Sequence, residues 1–263
     1  MLEIYVINMA KDVVKRQHME AACAGLPRQA EFIEAVVGVD LTPEEVGEVY
    51  AESEAIAAIG RPLSRGEIGC YLSHKKVLTK FISGCADAAL VLEDDVKLSP
   101  DVPLALPTLL AAKEWDIIFL GHHGRAARDS DTLSSLWGRR CIGNGRKLVR
   151  PCERVMGTYG YLVSRKGAEK LLAQMSRVVR PVDHLTGELR QLRLLCVEKP
   201  LISIDDVMST DHHAMHDRAL LKAQKKKVFL ASARSSLRAK VRGWGGQGYR
   251  RCVNLIKIIW PFG

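Results

Sequence analysis

The chain has 263 residues, 47% of them hydrophobic and 26% charged, which is typical of globular proteins and excludes wholesale disorder, a collagen-like fibre and a disulfide-dense miniprotein. The net charge of +9 is carried by the C-terminus, because residues 218–263 contain twelve Lys and Arg and no acidic residue, whereas residues 1–217 contain 27 bases and 30 acids. The sequence therefore predicts a nearly neutral domain over residues 1–217 and a basic tail over residues 218–263.

The N-terminal half alternates between predicted strands and helices. The β-branched run Ile4–Ile7 predicts a buried strand, and the polar stretch 11–24 predicts the helix that follows it. A second strand is expected over Phe32–Val37, and a helical region over the acidic, alanine-rich stretch Pro43–Ala58. The S-x-x-E pattern at residues 64–67 matches a capping box with Ser64 as N-cap, which predicts a helix from there to about Ser83 with Gly84 as its stop.

Further strands and helices are predicted after this helix. The apolar strand Ala88–Leu92 comes first, and residues 121–145 read as a long polar connection. The remaining expected elements are strands at Trp115–Leu120, Tyr159–Val163, Leu194–Val197 and Leu201–Ile204, a helix at Ser164–Ser176, and a short helix opening at Pro181. Strands that alternate with helices predict an α/β fold with a mostly parallel sheet.

The cysteines and the N-terminus indicate a cellular compartment. Seven cysteines are scattered without a C-x-x-C pair, which predicts neither a zinc site nor a disulfide framework and is typical of a reducing compartment. The start of the chain lacks the basic region and cleavage site of a signal peptide, and no run approaches the ~18 apolar residues of a membrane-spanning helix. We expect a cytosolic protein that can rest on a membrane surface.

Three acidic residues in a row, Glu93, Asp94 and Asp95, follow the strand at Ala88–Leu92. Ligands of α/β sheets bind beyond the carboxyl ends of strands, and alternation along an extended chain directs Glu93 and Asp95 to one side and Asp94 to the other. Two carboxylates on one side suit Mg²⁺ or Mn²⁺, whose remaining positions take water and phosphate oxygens. Taken alone, the triplet fits a solvated acidic turn equally well.

Four segments together resemble a known family. They read YVINMAKDVVKR at residues 5–16, LSRGEIGCYLSH at 63–74, ALVLEDDV at 89–96, and GTYGYLVSRKGAEKLL at 157–172 followed by RPVDHL at 180–185. Over about residues 2–210 the chain is similar to the bacterial branch of glycosyltransferase family 25, the lipooligosaccharide glycosyltransferases. It departs from the family pattern at Met9, at Lys15 where a double arginine is common, and at His184-Leu185, which puts the acceptor pocket in question.

The resemblance implies a GT-A-like fold and a metal-dependent, inverting transfer of a hexose. The implied donor is a UDP-sugar, commonly UDP-galactose or UDP-glucose, and the implied acceptor is a hydroxyl of a lipid-linked lipooligosaccharide or lipopolysaccharide core. Mn²⁺ or Mg²⁺ would be held by Glu93 and Asp95 in a DXD-like motif, with His212 as a further candidate ligand. The resemblance also places Asn8, Arg16, Ser73, His74 and Asp94 in the donor site.

The general base that the resemblance implies is Asp183, with a helix N-cap as the structural alternative. Two of the donor-site residues have structural alternatives as well. Arg16 fits an exposed helix arginine equally well, and His74 fits a packing histidine almost as well.

The tail mixes bases with aromatic and aliphatic residues, as in Lys225-Lys226-Lys227 and the terminal Ile258-Ile259-Trp260. This composition suits an interfacial helix on anionic lipid, and it predicts a peripheral enzyme on the cytoplasmic face of the bacterial inner membrane. A polycation could also bind nucleic acid, although we find no motif for a specific nucleic acid. The rival functions are a metal-dependent phosphoesterase or nuclease, and a non-catalytic basic module that binds membranes or nucleic acid.

Overall fold

The computed structural model describes residues 1–122, 140–152, 154–205 and 207–208. These residues form an eight-stranded sheet in the order β2-β1-β3-β8-β5-β9-β7-β6 and a small antiparallel ribbon of β10 and β4. The strands are β1 Leu2–Asn8, β2 Glu31–Glu34, β3 Ala88–Glu93, β4 Val96–Leu98, β5 Ile117–Phe119, β6 Arg140–Gly143, β7 Arg146–Val149, β8 Gly160–Ser164, β9 Leu194–Val197 and β10 Ile202–Ile204. The helices are α1 Val13–Cys23, α2 Pro43–Val49, α3 Glu52–Ile59, α4 Arg65–Ser83, α5 Val102–Leu110, α6 Arg165–Leu172 and α7 Val182–Thr186.

The direction of the strands confirms the predicted sheet. Strands β1, β2 and β3 are parallel to one another, as are β5 and β9. Strand β8 lies antiparallel between β3 and β5, and β7 is antiparallel to both β9 and β6. Six of the eight strands that the described residues contribute to this sheet therefore point the same way, with helices packed against the sheet. This is the α/β, GT-A-like class that was expected.

Alternation along the strands divides the buried side chains between two faces. On β1 and β3, Tyr5 and Val91 pack on the face that α4, α6 and α7 cover. Ile4 and Leu90, one residue before each of them, pack on the opposite face against α1 and α5. Both faces of the central strands are thus buried, which explains why β3 reads as a continuous apolar run.

Local signals place α4 as expected. Ser64 caps the helix, with its hydroxyl accepting from the backbone of Glu67 at 3.2 Å and the Glu67 carboxylate accepting from the Ser64 backbone at 2.8 Å. The helix ends at Ser83, one residue before Gly84. Helix α4 ends just before β3 begins and packs back against one face of the sheet. Its N-terminal half therefore lies near the carboxyl end of β3.

The expected helical region Pro43–Ala58 is confirmed, as the two helices α2 and α3, which are separated where Ala51 N–H donates to Val178 O at 3.1 Å. One expectation is wrong, because residues 121–145 are not all connection: β6 starts at Arg140. Asn144 and Gly145 have positive φ angles of 48° and 67° in the turn between β6 and β7, so the Asn-Gly pair was the signal for this hairpin. Helix α5 and strand β4 were also missed.

No helix in the described ranges has the length and apolar character needed to cross a membrane. The basic tail of residues 218–263 and His212 lie outside the described residues.

Candidate active site

The acidic triplet lies at the carboxyl end of β3, where the chain leaves the sheet. Glu93 is the last residue of the strand, and its N–H donates to Tyr159 O at 3.0 Å. Asp95 O accepts from Asp205 N at 2.7 Å. Backbone hydrogen bonds on both sides of the turn therefore fix the backbone positions from which the three carboxylate side chains extend.

Asp94 points toward α1 and is buried and paired. Its Oδ1 lies 3.1 Å from Lys15 Nζ, and its Oδ2 accepts from Asn8 Nδ2 at 2.9 Å. The side chains of Lys15 and Asp94 are only 6% and 11% exposed. Both carboxylate oxygens are thus satisfied, and the cluster of Asn8, Lys15 and Asp94 joins β1, α1 and β3 behind the site.

Glu93 points to the other face, toward α4. Its Oε1 lies 3.2 Å from His74 Nε2 and 3.9 Å from Cys70 Sγ. His74 is fully buried, and its Nδ1 lies 3.1 Å from the Tyr161 hydroxyl. Burial and the charge of Glu93 raise the pKa of Tyr161, so its hydroxyl stays protonated and can donate to Nδ1. In that arrangement the Nε2–H of His74 donates to Glu93.

Asp95 is half-buried beside Glu93. Burial, together with the neighbouring charge of Glu93, raises the pKa of Asp95 to about 6, against an opposing effect from Lys15. Within the described ranges its carboxylate has its own backbone N–H as its only hydrogen-bond donor. Glu93 Oε2 likewise has no hydrogen-bond donor in this part of the chain. Two adjacent carboxylates with unused oxygens fit a hard divalent cation such as Mn²⁺ or Mg²⁺.

Asp183 is fixed by Thr158, in the loop before β8. Its Oδ1 accepts from Thr158 N at 3.0 Å and from Thr158 Oγ1 at 2.6 Å. The N-cap alternative is wrong, because Pro181 is the N-cap of α7 and Asp183 lies inside that helix. Among the described residues, no hydrogen bond engages the second carboxylate oxygen, so that oxygen remains available to a ligand.

Electrostatics indicate that Asp183 shares a site with the acidic triplet. Burial raises the pKa of the Cys70 thiol well above its usual range, and four carboxylates raise it further, those of Glu93, Asp183, Glu67 and Asp95. The pKa of His184 is lowered by burial and by positive charge from Arg154, Arg61 and Arg180. Three arginines therefore lie near His184, two of them in ion pairs, Arg61 with Glu67 and Arg154 with Glu188.

Two predicted donor-site residues have other contacts. Arg16 is half-exposed, with its Nε 3.0 Å from Glu20 Oε1 and its guanidinium 4.5 Å from the centre of the Phe32 ring. Ser73 is buried, and its hydroxyl donates to Gly69 O at 2.7 Å and accepts from Val36 N at 2.8 Å. Ser73 therefore holds the segment after β2 against α4, and the assignment of both residues to donor binding stays a prediction.

Four residues of the site were not predicted from the sequence: Lys15, Cys70, Tyr161 and Thr158. Cys70 could have been found, since it lies four residues before His74 and so on the same face of α4. Lys15 is the neighbour of Arg16, and only the phase of α1 decides which of the two faces Asp94. Thr158 and Tyr161 reach the site from β8 and its preceding loop, which a reading of local patterns does not connect to β3.

Comparison with known proteins identifies the family. The family model described as glycosyltransferase family 25 (LPS biosynthesis protein) matches residues 1–186. The chain belongs to glycosyltransferase family 25. The resemblance carried by the sequence motifs is thereby confirmed.

Several curated relatives of this family 25 member are animal proteins. Procollagen galactosyltransferase 1-B of Xenopus laevis is 30% identical over 190 residues, which are 69% of this chain and 30% of that protein. A glycosyltransferase 25 family member of Aedes aegypti is 31% identical over 189 residues, 68% of this chain and 29% of that protein. Procollagen galactosyltransferase 2 of Homo sapiens is 28% identical over 190 residues, 69% of this chain and 29% of that protein. The chain spans about 30% of the length of these relatives.

Proposed function

We propose that this family 25 member transfers a hexose, galactose or glucose, from a UDP-sugar to a hydroxyl of a lipooligosaccharide or lipopolysaccharide core, with inversion at the anomeric carbon. The family description as an LPS biosynthesis protein supports the acceptor class, and the relatives named as galactosyltransferases support the sugar. The observation that carries the proposal is the pair of neighbouring carboxylates of Glu93 and Asp95. In the described structure neither is paired with Lys or Arg. Both act on the thiol of Cys70 together with Asp183, which places the three carboxylates at one site.

Glu93 and Asp95 are the residues that would hold Mn²⁺ or Mg²⁺. A cation there would supply Lewis-acid stabilisation of the negative charge that develops on the departing UDP. The chain itself contributes the geometry. His74 fixes one oxygen of Glu93, and the backbone contacts of the turn fix the start of both side chains. Asn8 and Lys15 hold Asp94 away from the open side, so they shape the donor site from behind.

Asp183 is the proposed general base. The two hydrogen bonds from Thr158 orient its carboxylate and leave the second oxygen for the acceptor hydroxyl. That oxygen takes the hydroxyl proton as the acceptor oxygen attacks the anomeric carbon from the face opposite to the leaving UDP. A single displacement of this kind inverts the configuration of the sugar. Arg16 and the basic groups near His184 are the side chains that we expect to contact the anionic donor.

The basic tail of residues 218–263 would bring the catalytic domain to its acceptor. Twelve positive charges and a terminal cluster of aromatic and aliphatic residues favour binding to an anionic membrane surface. This supports a peripheral position on the cytoplasmic face of the inner membrane, where a lipid-linked acceptor would be present. Vesicle sedimentation with the full chain and with a variant lacking residues 218–263 tests this part of the proposal.

The central experiment measures turnover of a panel of UDP-sugars by the full chain, with Mn²⁺ and with a chelator, with and without a lipooligosaccharide core acceptor. We expect transfer of one hexose that requires the divalent cation. Asp95→Asn and Asp183→Asn should each abolish transfer, whereas Asp40→Asn, at an exposed carboxylate in the turn after β2, should not change it. Undiminished transfer in the chelator, or in Asp95→Asn, would refute the metal-dependent mechanism.

A further inference from the structure

A second set of metal ligands lies on the buried side of Glu93. Cys70 and His74 are one helical turn apart on α4 and face the same strand end. Cys70 Sγ, His74 Nε2 and a carboxylate oxygen of Glu93 all lie within 4.8 Å of one another. The nitrogen and the oxygen are 3.2 Å apart, and the sulfur and the oxygen are 3.9 Å apart.

Two of these separations are close to the edges of a zinc coordination tetrahedron. With bonds of ~2.3 Å to sulfur and ~2.0–2.1 Å to nitrogen and oxygen, tetrahedral angles place nitrogen and oxygen ~3.3 Å apart and sulfur ~3.6 Å from either of them. The nitrogen–oxygen and sulfur–oxygen distances differ from these values by a few tenths of an ångström. The sulfur and the nitrogen lie within 4.8 Å of each other, so binding of one ion by all three atoms requires the Cys70 side chain to turn toward His74.

The surroundings of the cluster resemble a preorganised metal site. Metal-binding histidines usually have their second ring nitrogen held by a hydrogen bond. The Tyr161 hydroxyl lies 3.1 Å from Nδ1 of His74, and with a metal on Nε2 the ring hydrogen would move to Nδ1 and be donated to that hydroxyl, the reverse of the metal-free arrangement. His74 is fully buried, so its ring is fixed by packing, whereas Glu93 is 31% exposed. An ion can thus reach the cluster past Glu93.

We propose that Cys70, His74 and Glu93 form a binding site for a thiophilic divalent cation, with Zn²⁺ as the fitting ion. A thiolate and an imidazole select zinc over manganese or magnesium, which prefer oxygen ligands. Binding replaces the thiol proton of Cys70, which is released to solvent, by a sulfur–metal bond. This site is distinct from the cation expected between Glu93 and Asp95, although the two share Glu93. The inference goes beyond the proposed function, since metal binding needs no donor or acceptor.

The test titrates metal-free full-length protein with Co²⁺, which occupies zinc sites and shows an intense thiolate-to-cobalt absorption band. We expect the band to reach its full intensity at one Co²⁺ per chain and to disappear when Zn²⁺ displaces the cobalt. Cys70→Ser should remove the band and weaken Zn²⁺ binding at least ~10-fold. The matched control is Cys85→Ser, at an exposed cysteine two residues after α4, which should leave both unchanged.

Two results would overturn the proposal. One is the absence of a thiolate band in the wild-type protein, and the other is a band of the same intensity and affinity in Cys70→Ser. Thermal unfolding of each variant confirms that the comparison is made on folded protein. Asp95→Asn separates the two metal sites, because it should leave the cobalt band intact while it abolishes sugar transfer.

Discussion

Asp94 and Asp95 are neighbours of identical chemistry with opposite surroundings. Asp94 is buried, and a lysine and an asparagine engage both of its oxygens. Asp95 is half-buried beside the carboxylate of Glu93, and its pKa is raised to about 6. Both aspartates lie in the turn between β3 and β4, and this turn directs Asp94 toward Lys15 and Asn8 and leaves Asp95 beside Glu93.

The difference teaches that the partners of a carboxylate, rather than its presence in a motif, indicate its role. The Asp94 side is electrostatically complete and joins three elements of the fold. The Asp95 side carries excess negative charge that the described residues do not balance, and that charge favours a cation. We call the cluster of Asp94, Lys15 and Asn8 the closed side and the pair of Asp95 and Glu93 the open side. Substitutions on the closed side should reduce stability, whereas substitutions on the open side should reduce activity.

The largest expected effect on stability comes from Lys15→Met. Removal of one member of a buried ion pair leaves an uncompensated charge, which typically costs ~3–5 kcal/mol. We expect a loss of about that size in the free energy of unfolding, measured with denaturant at pH 7. The double variant Lys15→Met with Asp94→Leu should recover part of it, because no buried charge is then left unpaired.

Arg16→Met is the matched control for this prediction. Arg16 follows Lys15 on α1 but is half-exposed in its pair with Glu20, so its loss should cost less than about 1 kcal/mol. A loss of similar size in the two single variants would contradict the assignment of Lys15 to the closed side.

On the open side, Asp95→Asn should stabilise the protein while it removes activity. Because the pKa of Asp95 is raised from 3.8 to about 6, the folded state binds its proton more tightly than the unfolded state. Wild-type stability should therefore fall as the pH rises from about 4 to about 6. The neutral asparagine avoids this loss, which amounts to about 2 kcal/mol at pH 7 after allowance for partial exposure.

Unfolding experiments between pH 4 and pH 7 check the stability of Asp95→Asn against the wild-type protein. Transfer by Asp95→Asn should fall at least ~100-fold, since even changes behind a metal ligand cost ~10–100-fold. A variant that is both less stable at pH 7 and fully active would show that Asp95, like Asp94, stabilises the fold and is not needed for transfer.

A smaller effect is expected from Thr158→Val, which removes one of the two hydrogen bonds that orient Asp183. The backbone N–H bond at 3.0 Å remains, so the carboxylate stays in place but is held less firmly. We expect kcat to fall about 10-fold, equivalent to ~1.4 kcal/mol, with little change in KM for the donor. Thr158→Ser should retain most of the activity, and equal losses in both variants would argue against positioning by the hydroxyl.

The sequence predicts the parts of this site that depend on local pattern. The capping box at Ser64, the apolar strand before Glu93, and the divergence of Asp94 from its neighbours all follow from rules that act over a few residues. The contacts of Cys70 with Glu93 and of Thr158 with Asp183 join segments more than twenty residues apart. The Thr158 contact depends on β8 entering the sheet antiparallel between β3 and β5, and local periodicity does not reveal that placement.

The smallest effect is predicted for Ser73→Ala. This variant tests whether Ser73, in the motif of residues 63–74, binds the donor or stabilises the fold. Ser73 precedes His74, but its hydroxyl accepts from Val36 N and donates to Gly69 O. Removing the hydroxyl leaves a buried N–H without its acceptor, so we expect a loss of about 1 kcal/mol in the free energy of unfolding and an unchanged KM for the donor. Ser83→Ala, at the exposed end of the same helix, should change stability by less than ~0.5 kcal/mol. A raised donor KM with unchanged stability would instead assign Ser73 to donor binding, because a hydroxyl that contacts the sugar nucleotide contributes nothing to the fold in its absence.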